Sequence, residues 1–283
     1  MKLLRYGPPG QEKPGVLDAQ GRIRDLSAHI ADLDRKTITV DTLSRLRALD
    51  LSSLPVVQAG VRIGACVGDI GKIVCVGLNY TDHAQEANMA IPTEPVLFMK
   101  PTSAISGPHD DVLMPPGSQK MDWEVELGIV IGQATRHVTR EQALEHVAGY
   151  CLANDVSERA YQIERGGQWD KGKAYDTFAP LGPWLVTRDE VPDAQALDLW
   201  LEVDGHRYQN GSTRNMIFDV ATIVSYISQF MSLQPGDVII TGTPAGVGLG
   251  QKPQPIFLRA GQVMTLGATS LGEQRQRVVA QAQ

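Results

Sequence analysis

The chain reads as a mixed α/β fold that is mainly β, with a β-roll or sandwich core and helices packed outside it. Three observations predict this. Short apolar runs bounded by Gly, Pro, Asn and Asp clusters recur along the length, as strands do. Long amphipathic helical patterns, such as Phe218 to Met231, are few. The strands do not alternate with helices of about 10–15 residues, as a doubly wound parallel sheet requires.

The elements follow in order. Leu3 to Tyr6 and Gly15 to Leu17 read as short strands, with Gly21 in a turn, and Thr42 to Leu49 as a short helix placing Leu43, Leu46 and Leu49 on one side. Polar and turn residues interrupt this region often, so residues 1–70 are expected to form a small N-terminal domain and 71–283 the main one. Lys72 to Leu78 and Val96 to Lys100 are buried strands. Between them Asn79 to Pro95 is a long polar loop with at most one helical turn, of a length often used for lids. Asp122 to Gly132 is a strand. Thr139 and Gln142 form a capping box that opens a helix to about His146. Gly149 to Asn154 is a strand ending at Asp155, and Ser157 to Glu164 a short helix. Leu197 to Val203 and His206 to Gln209 flank the hairpin turn Asp204-Gly205. After the Phe218 to Met231 helix, strands are expected at Val238 to Thr241, Gly261 to Leu266 and Glu273 to Val279.

Composition narrows the function. With 283 residues, 42% of them hydrophobic, the chain can bury a sizeable core. Net charge is −6 and no dense Lys/Arg run occurs, which argues against a nucleic-acid partner. No window approaches the roughly 18 consecutive apolar residues of a membrane span, and Met1 to Pro9 lacks the apolar stretch of a signal peptide. The three cysteines form no Cys-x-x-Cys pair, and Cys75 lies in the apolar run Ile73 to Val76. Buried reduced thiols and a cytoplasmic setting are expected.

Four segments suggest chemistry. Asp122-Trp123-Glu124-Val125-Glu126-Leu127-Gly128 alternates strictly, so an extended strand puts three carboxylates on one face. They are either a solvated edge-strand face or oxygen ligands for a hard cation such as Mg²⁺, Mn²⁺ or Ca²⁺. Asp155, at the mouth of its strand, is either a further ligand or the N-cap of the segment from Ser157. In a helical turn His83 and Glu86 share a face, either as a surface pair or as an imidazole oriented by a carboxylate to take a proton from water. Trp169 to Asp176 reads as an ordered loop running into a strand, its lysines either exposed or set against surplus carboxylate charge. Thr241-Gly242-Thr243-Pro244-Ala245-Gly246-Val247-Gly248 has neither nucleotide-binding glycine pattern. It is either a plain turn or a loop whose backbone N–H groups and Thr243 hydroxyl face a carboxylate.

Together these segments resemble the fumarylacetoacetate hydrolase family. The matching parts are Val76 to Tyr80 followed by His83 and Glu86, Asp122 to Leu127, Asn154 to Arg159, Lys173 with Asp176, and Thr241 to Pro244. The resemblance implies a mixed β-sandwich roll with a small N-terminal domain, and a homodimer. It also implies Mg²⁺ or Mn²⁺ at Glu124, Glu126 and Asp155, and His83 with Glu86 as a water-activating pair on a lid. Lys173 would hold the anionic end of the substrate, and Tyr80, Arg159, Gln162 and Thr243 would contact it. The substrate implied is a small 2-oxo acid. The reactions implied are acylpyruvate hydrolysis at the C3–C4 bond of a 2,4-dioxo acid, decarboxylation and enol–keto isomerisation. The Trp169 to Trp184 run is similar to that of bacterial 2,4-diketo-3-deoxy-L-rhamnonate and fuconate hydrolases, which yield pyruvate and lactate. Similar sequences also carry the label ureidoglycolate lyase. Met89, Ile91, Pro92 and Trp169 are candidate walls for the acyl end.

Overall fold

The computed structural model describes residues 1–281. Its strands are β1 Lys2–Tyr6, β2 Lys13–Leu17, β3 Ile23–Asp25, β4 Ile73–Gly77, β5 Val96–Lys100, β6 Ile105–Ser106, β7 Val112–Met114, β8 Met121–Asp122 and β9 Val125–Ile131. They continue with β10 Val147–Asn154, β11 Ser157–Glu158, β12 Ala179–Pro180, β13 Leu185–Thr187, β14 Asp198–Val203, β15 His206–Ser212, β16 Val238–Ile240, β17 Val263–Ala268 and β18 Gly272–Ala280. The helices are α1 Val40–Arg47, α2 Thr81–Glu86, α3 Arg140–Ala143, α4 Arg159–Ile163, α5 Asp170–Lys173 and α6 Val220–Phe230.

β9 organises the molecule. All seven of its residues are buried, because it is paired on both edges and covered on both faces. Within a nine-stranded sheet ordered β3-β2-β1-β13-β10-β9-β16-β4-β5 it lies between β10 and β16. A five-stranded sheet, β15-β14-β17-β18-β7, packs across it through β14 and β17. This is the expected mixed, strand-rich sandwich. β16 pairs parallel with β4 and antiparallel with β9, so the sheet is mixed at the point where the site lies. The α6 pattern holds: Val220, Ile223, Val224 and Ile227 are buried along one face, and Asp219 caps Thr222 N–H. The Thr139–Gln142 capping box is also present.

The leading residues do not stand apart. β1 pairs antiparallel with β13, so β1 to β3 extend the main sheet, and Leu3, Val16 and Leu26 join one core with Ile73 and Val130. The expected small N-terminal domain is therefore structurally continuous with the rest: its short strands bury their apolar faces only by adding to a sheet edge.

The β18 strand runs inward with glutamines where apolar residues are usual. Gln274 and Gln276 are fully buried. Gln274 Nε2 donates to Leu152 O and Gly182 O, and Gln276 Nε2 donates to Pro108 O. Leu152 O and Pro108 O also accept Gly182 N–H and Arg275 N–H, so there the glutamines fill the second lone pair of the carbonyl. Cys66, Cys75 and Cys151 are free and buried. Among the described residues no helix is long and apolar enough to cross a membrane.

Candidate active site

The acidic segment is not one continuous strand. Pairing breaks at Trp123 and Glu124, between β8 and β9. Asp122 is thereby turned away from the other two carboxylates. It accepts Gly248 N–H at 2.7 Å, Leu249 N–H at 2.9 Å and Arg159 Nε at 2.8 Å. Glu124 and Glu126 stay on one side, and Asp155, at the end of neighbouring β10, meets them: one oxygen from each of the three lies within 4.8 Å of the others. The register pairs Ala153 with Glu126 and Asn154 with Val125, which is what brings Asp155 alongside. All three are buried, so the solvated-edge reading fails. Asp155 is no helix cap either, since Glu158 fills that role by accepting Ala160 N–H.

Cations surround the cluster unevenly. Lys173 Nζ donates to Glu124 at 2.7 Å and to Asp155 at 2.8 Å. Arg159 Nη2 lies 2.7 Å from Glu124, and Lys100 Nζ donates to Asp155 and to Val156 O. Burial pushes Glu124 up, but Lys173 and Arg159 outweigh it and hold that carboxyl well below the usual range. Glu126 differs. It has no ion pair among the described residues and accepts one neutral donor, Gly242 N–H at 2.7 Å. Burial, then Asp155 and Glu124, push its carboxyl well above the ordinary value. An all-oxygen donor set with one carboxylate lacking a cation of its own fits a hard dication such as Mg²⁺ or Mn²⁺.

The loop from Asn79 to Pro95 does contain one helical turn, α2. His83 Nδ1 lies 3.2 Å from Glu86 Oε2. The other Glu86 oxygen accepts Gly246 N–H at 2.9 Å, so the carboxylate is anchored outside its own helix. The 241–249 loop thus gives backbone donors to three carboxylates: Glu126, Glu86 and Asp122. Thr243 departs from expectation. Its hydroxyl donates to Val125 O and accepts Gln209 Nε2, leaving the carboxylates to the main chain.

One cavity of about 280 Å³ joins these groups. His83, Glu124, Glu126, Arg159, Gln162, Lys173 and Thr243 line it, with Met89 and Trp169 among the apolar walls. Ile91 and Pro92 are not among them. Tyr80, expected at the substrate, is a correction. It is fully buried and does not line the cavity, because β4 leads it inward just before α2 begins. The segment after Trp169 forms α5 instead of running into a strand, and that turn buries Lys173 while leaving Lys171 exposed.

Two participants escaped the sequence reading. Lys100 is the last residue of an apolar strand and reads as its solvated end, yet it is 1% exposed and bound to Asp155. Gln209, on β15 of the other sheet, caps the start of β9 by accepting Val125 N–H at 2.9 Å. Neither has a local signal, since each depends on a partner more than fifty residues away.

Residues 72–279 match the family model described as fumarylacetoacetate (FAA) hydrolase, C-terminal. A Burkholderia multivorans protein provisionally named a hydrolase is 65% identical over 276 residues, 98% of each chain. The fumarylacetoacetate hydrolase of psychrophilic Exiguobacterium antarcticum superposes with a TM-score of 0.88 at 37% identity, covering 99% of this chain and all of that one. The maleylpyruvate hydrolase of Sphingobium sp. SYK-6, in complex with manganese(II) and pyruvate, gives a TM-score of 0.81 at 31% identity over the full length of both. The chain belongs to the fumarylacetoacetate hydrolase family.

Proposed function

We propose that the protein is a metal-dependent hydrolase of the C3–C4 bond of 2,4-dioxo acids, releasing pyruvate and a carboxylic acid. The observation that carries this is a three-carboxylate cluster, two of whose members, Glu124 and Glu126, share one cavity with an oriented imidazole. Glu124, Glu126 and Asp155 would hold Mg²⁺ or Mn²⁺, which would supply charge to bind the 2-oxo acid end and to stabilise an enolate. His83, with Nδ1 engaged by Glu86, has Nε2 available to take a proton from water. The water oxygen adds to the C4 carbonyl. The C3–C4 electron pair then leaves with the pyruvate fragment, whose C3 is protonated to complete pyruvate. The Lys173 ammonium, buried beside Glu124 and Asp155, adds positive charge where that enolate forms. Arg159 and Gln162 are bonded to one another at 2.9 Å and fix the wall beside Glu124.

The test is pyruvate release from acylpyruvates by chelated protein, with and without added Mg²⁺ or Mn²⁺. Metal-dependent pyruvate in equal amount with the matching acid supports hydrolysis. Pyruvate with CO₂ from oxaloacetate alone makes it a decarboxylase, and a spectral change in the dioxo acid without pyruvate makes it an isomerase.

Gly250 gives a steric test of the lid anchor. A Cβ there would overlap the Glu86 carboxylate. Gly250→Ala should displace Glu86 from Gly246 N–H and lower kcat by roughly 10²-fold, as small misplacements of catalytic groups do. Metal affinity, measured by calorimetry, should not change. A variant with wild-type kcat would show that Glu86 needs no fixed position.

A further inference from the structure

The cavity is chemically divided. Its charged side chains are His83, Glu124, Glu126, Arg159 and Lys173. Both full cations already face buried carboxylates: Lys173 bonds Glu124 and Asp155, and Arg159 bonds Asp122 and Gln162 and lies beside Glu124. Among the described residues no other lysine or arginine lines the cavity, so a second carboxylate on the substrate would have to compete with Glu124, Asp155 and Asp122 for the same two cations. Hydroxyls fare little better. Thr243 gives its proton to Val125 O and already accepts Gln209 Nε2, which leaves the Gln162 amide nitrogen and the Trp169 indole N–H as the neutral side-chain donors on the wall. Burying a hydroxyl without a partner is unfavourable.

The remaining walls include Leu78, Met89, Phe98, Ile163, Trp169 and Leu249. Phe98 and Trp169 meet edge to face, with centroids 5.6 Å apart. Three of these residues stay open to solvent: Met89 is 50% exposed, Ile163 51% and Leu249 38%. A rim of large apolar side chains around a polar floor marks a binding surface.

We propose that the acyl group of the substrate is apolar, an alkyl or aryl chain bearing neither a distal carboxylate nor a polyol. This rests on the 2-oxo acid reading above, and it sets the sugar-acid substrates aside. It assigns Ile163 and Leu249 as specificity-determining residues at the mouth.

The experiment separates the two claims by measuring binding as well as turnover. Calorimetry of the Mg²⁺-loaded protein would use 2-oxobutanoate, 2-oxohexanoate and 2-oxooctanoate, together with two six-carbon probes, 2-oxoadipate and 2-keto-3-deoxygluconate. Affinity should rise about fourfold per added methylene at first. The dicarboxylate and the polyol should bind at least tenfold more weakly than 2-oxohexanoate. Ile163→Lys, on an exposed position that leaves the core intact, should invert the preference between 2-oxohexanoate and 2-oxoadipate. Equal or tighter wild-type binding of 2-oxoadipate or the polyol, or no dependence on chain length, overturns the assignment. Chain-length-dependent binding without pyruvate release from matched 2,4-dioxo acids upholds the apolar site and overturns hydrolysis instead.

Discussion

Glu126→Gln should abolish metal binding and lower turnover by at least about 10²-fold, yet raise the melting temperature of the chelated protein. The two effects have one cause. Glu126 is buried beside Asp155 and Glu124 with a single neutral donor, Gly242 N–H, and a glutamine oxygen can accept that same bond. The substitution removes a like charge from a buried cluster without orphaning a cation. The gain depends on pH in a definite direction. Burial and the neighbouring carboxylates hold the folded carboxyl well above the ordinary glutamate range, so folding favours its protonated form. Wild type therefore carries no penalty below the unfolded pKa, and loses stability as pH rises from there through the folded pKa. The melting gap between Glu126→Gln and wild type in chelator should be near zero at about pH 4 and widen towards pH 8. Glu124→Gln should do the reverse. It strips Lys173 and Arg159 of a buried partner, and breaking such a pair costs about 3–5 kcal/mol. Equal melting shifts for the two variants would show that the cluster is not charged as described.

His83→Asn should cost about 10²–10⁴ in kcat, the usual contribution of a general base, while leaving metal affinity in place. The imidazole lines the cavity with Glu124 and Glu126 but is not part of the three-carboxylate cluster. Glu86 holds its Nδ1, and Gly246 N–H holds Glu86. Loss of that chain from its far end, in Glu86→Gln, should be milder, because the imidazole remains and only its orientation and basicity change. Calorimetric Mg²⁺ binding alongside steady-state rates checks this. If His83→Asn lost metal and rate together, the imidazole would belong to the metal centre instead.

Much of this site was legible in the sequence because its chemistry is local. Glu124 and Glu126 are two residues apart on a strand, and His83 and Glu86 three apart on a helical turn, so strand and helix periods alone place each pair. Asp155 was readable as the residue following an apolar strand, although a cap was an equal reading until the β9–β10 register was known. What the sequence withheld were long-range choices. Alternation cannot show that pairing breaks at Trp123, which sends Asp122 to Arg159 and the 248–249 amides. A lysine ending a strand gives no sign that it is fully buried against a carboxylate, as Lys100 is. Tyr80 lies beside catalytic residues in the chain and outside the cavity in space. The frequent turns in residues 1–70 suggested independence, but an edge strand can be short and polar-flanked and still complete another segment's sheet.

The 241–249 loop holds Glu126, Glu86 and Asp122 through amide groups of its main chain. Three of the four donors, Gly242, Gly246 and Gly248, are glycines where a Cβ would be strained or would meet neighbouring atoms, so at those positions the grip depends on having no side chain. Val247 and Leu249, meanwhile, line the cavity. The two duties thus alternate along the loop, and Leu249 alone serves both, one with its amide and one with its side chain. Randomising the half-exposed position 249 should shift which ligands the cavity accepts while the clustered carboxylates stay in place, whereas the buried Val247 should tolerate only apolar residues of similar size. That makes Leu249 the natural place for selection, or an engineer, to alter what the cavity accepts.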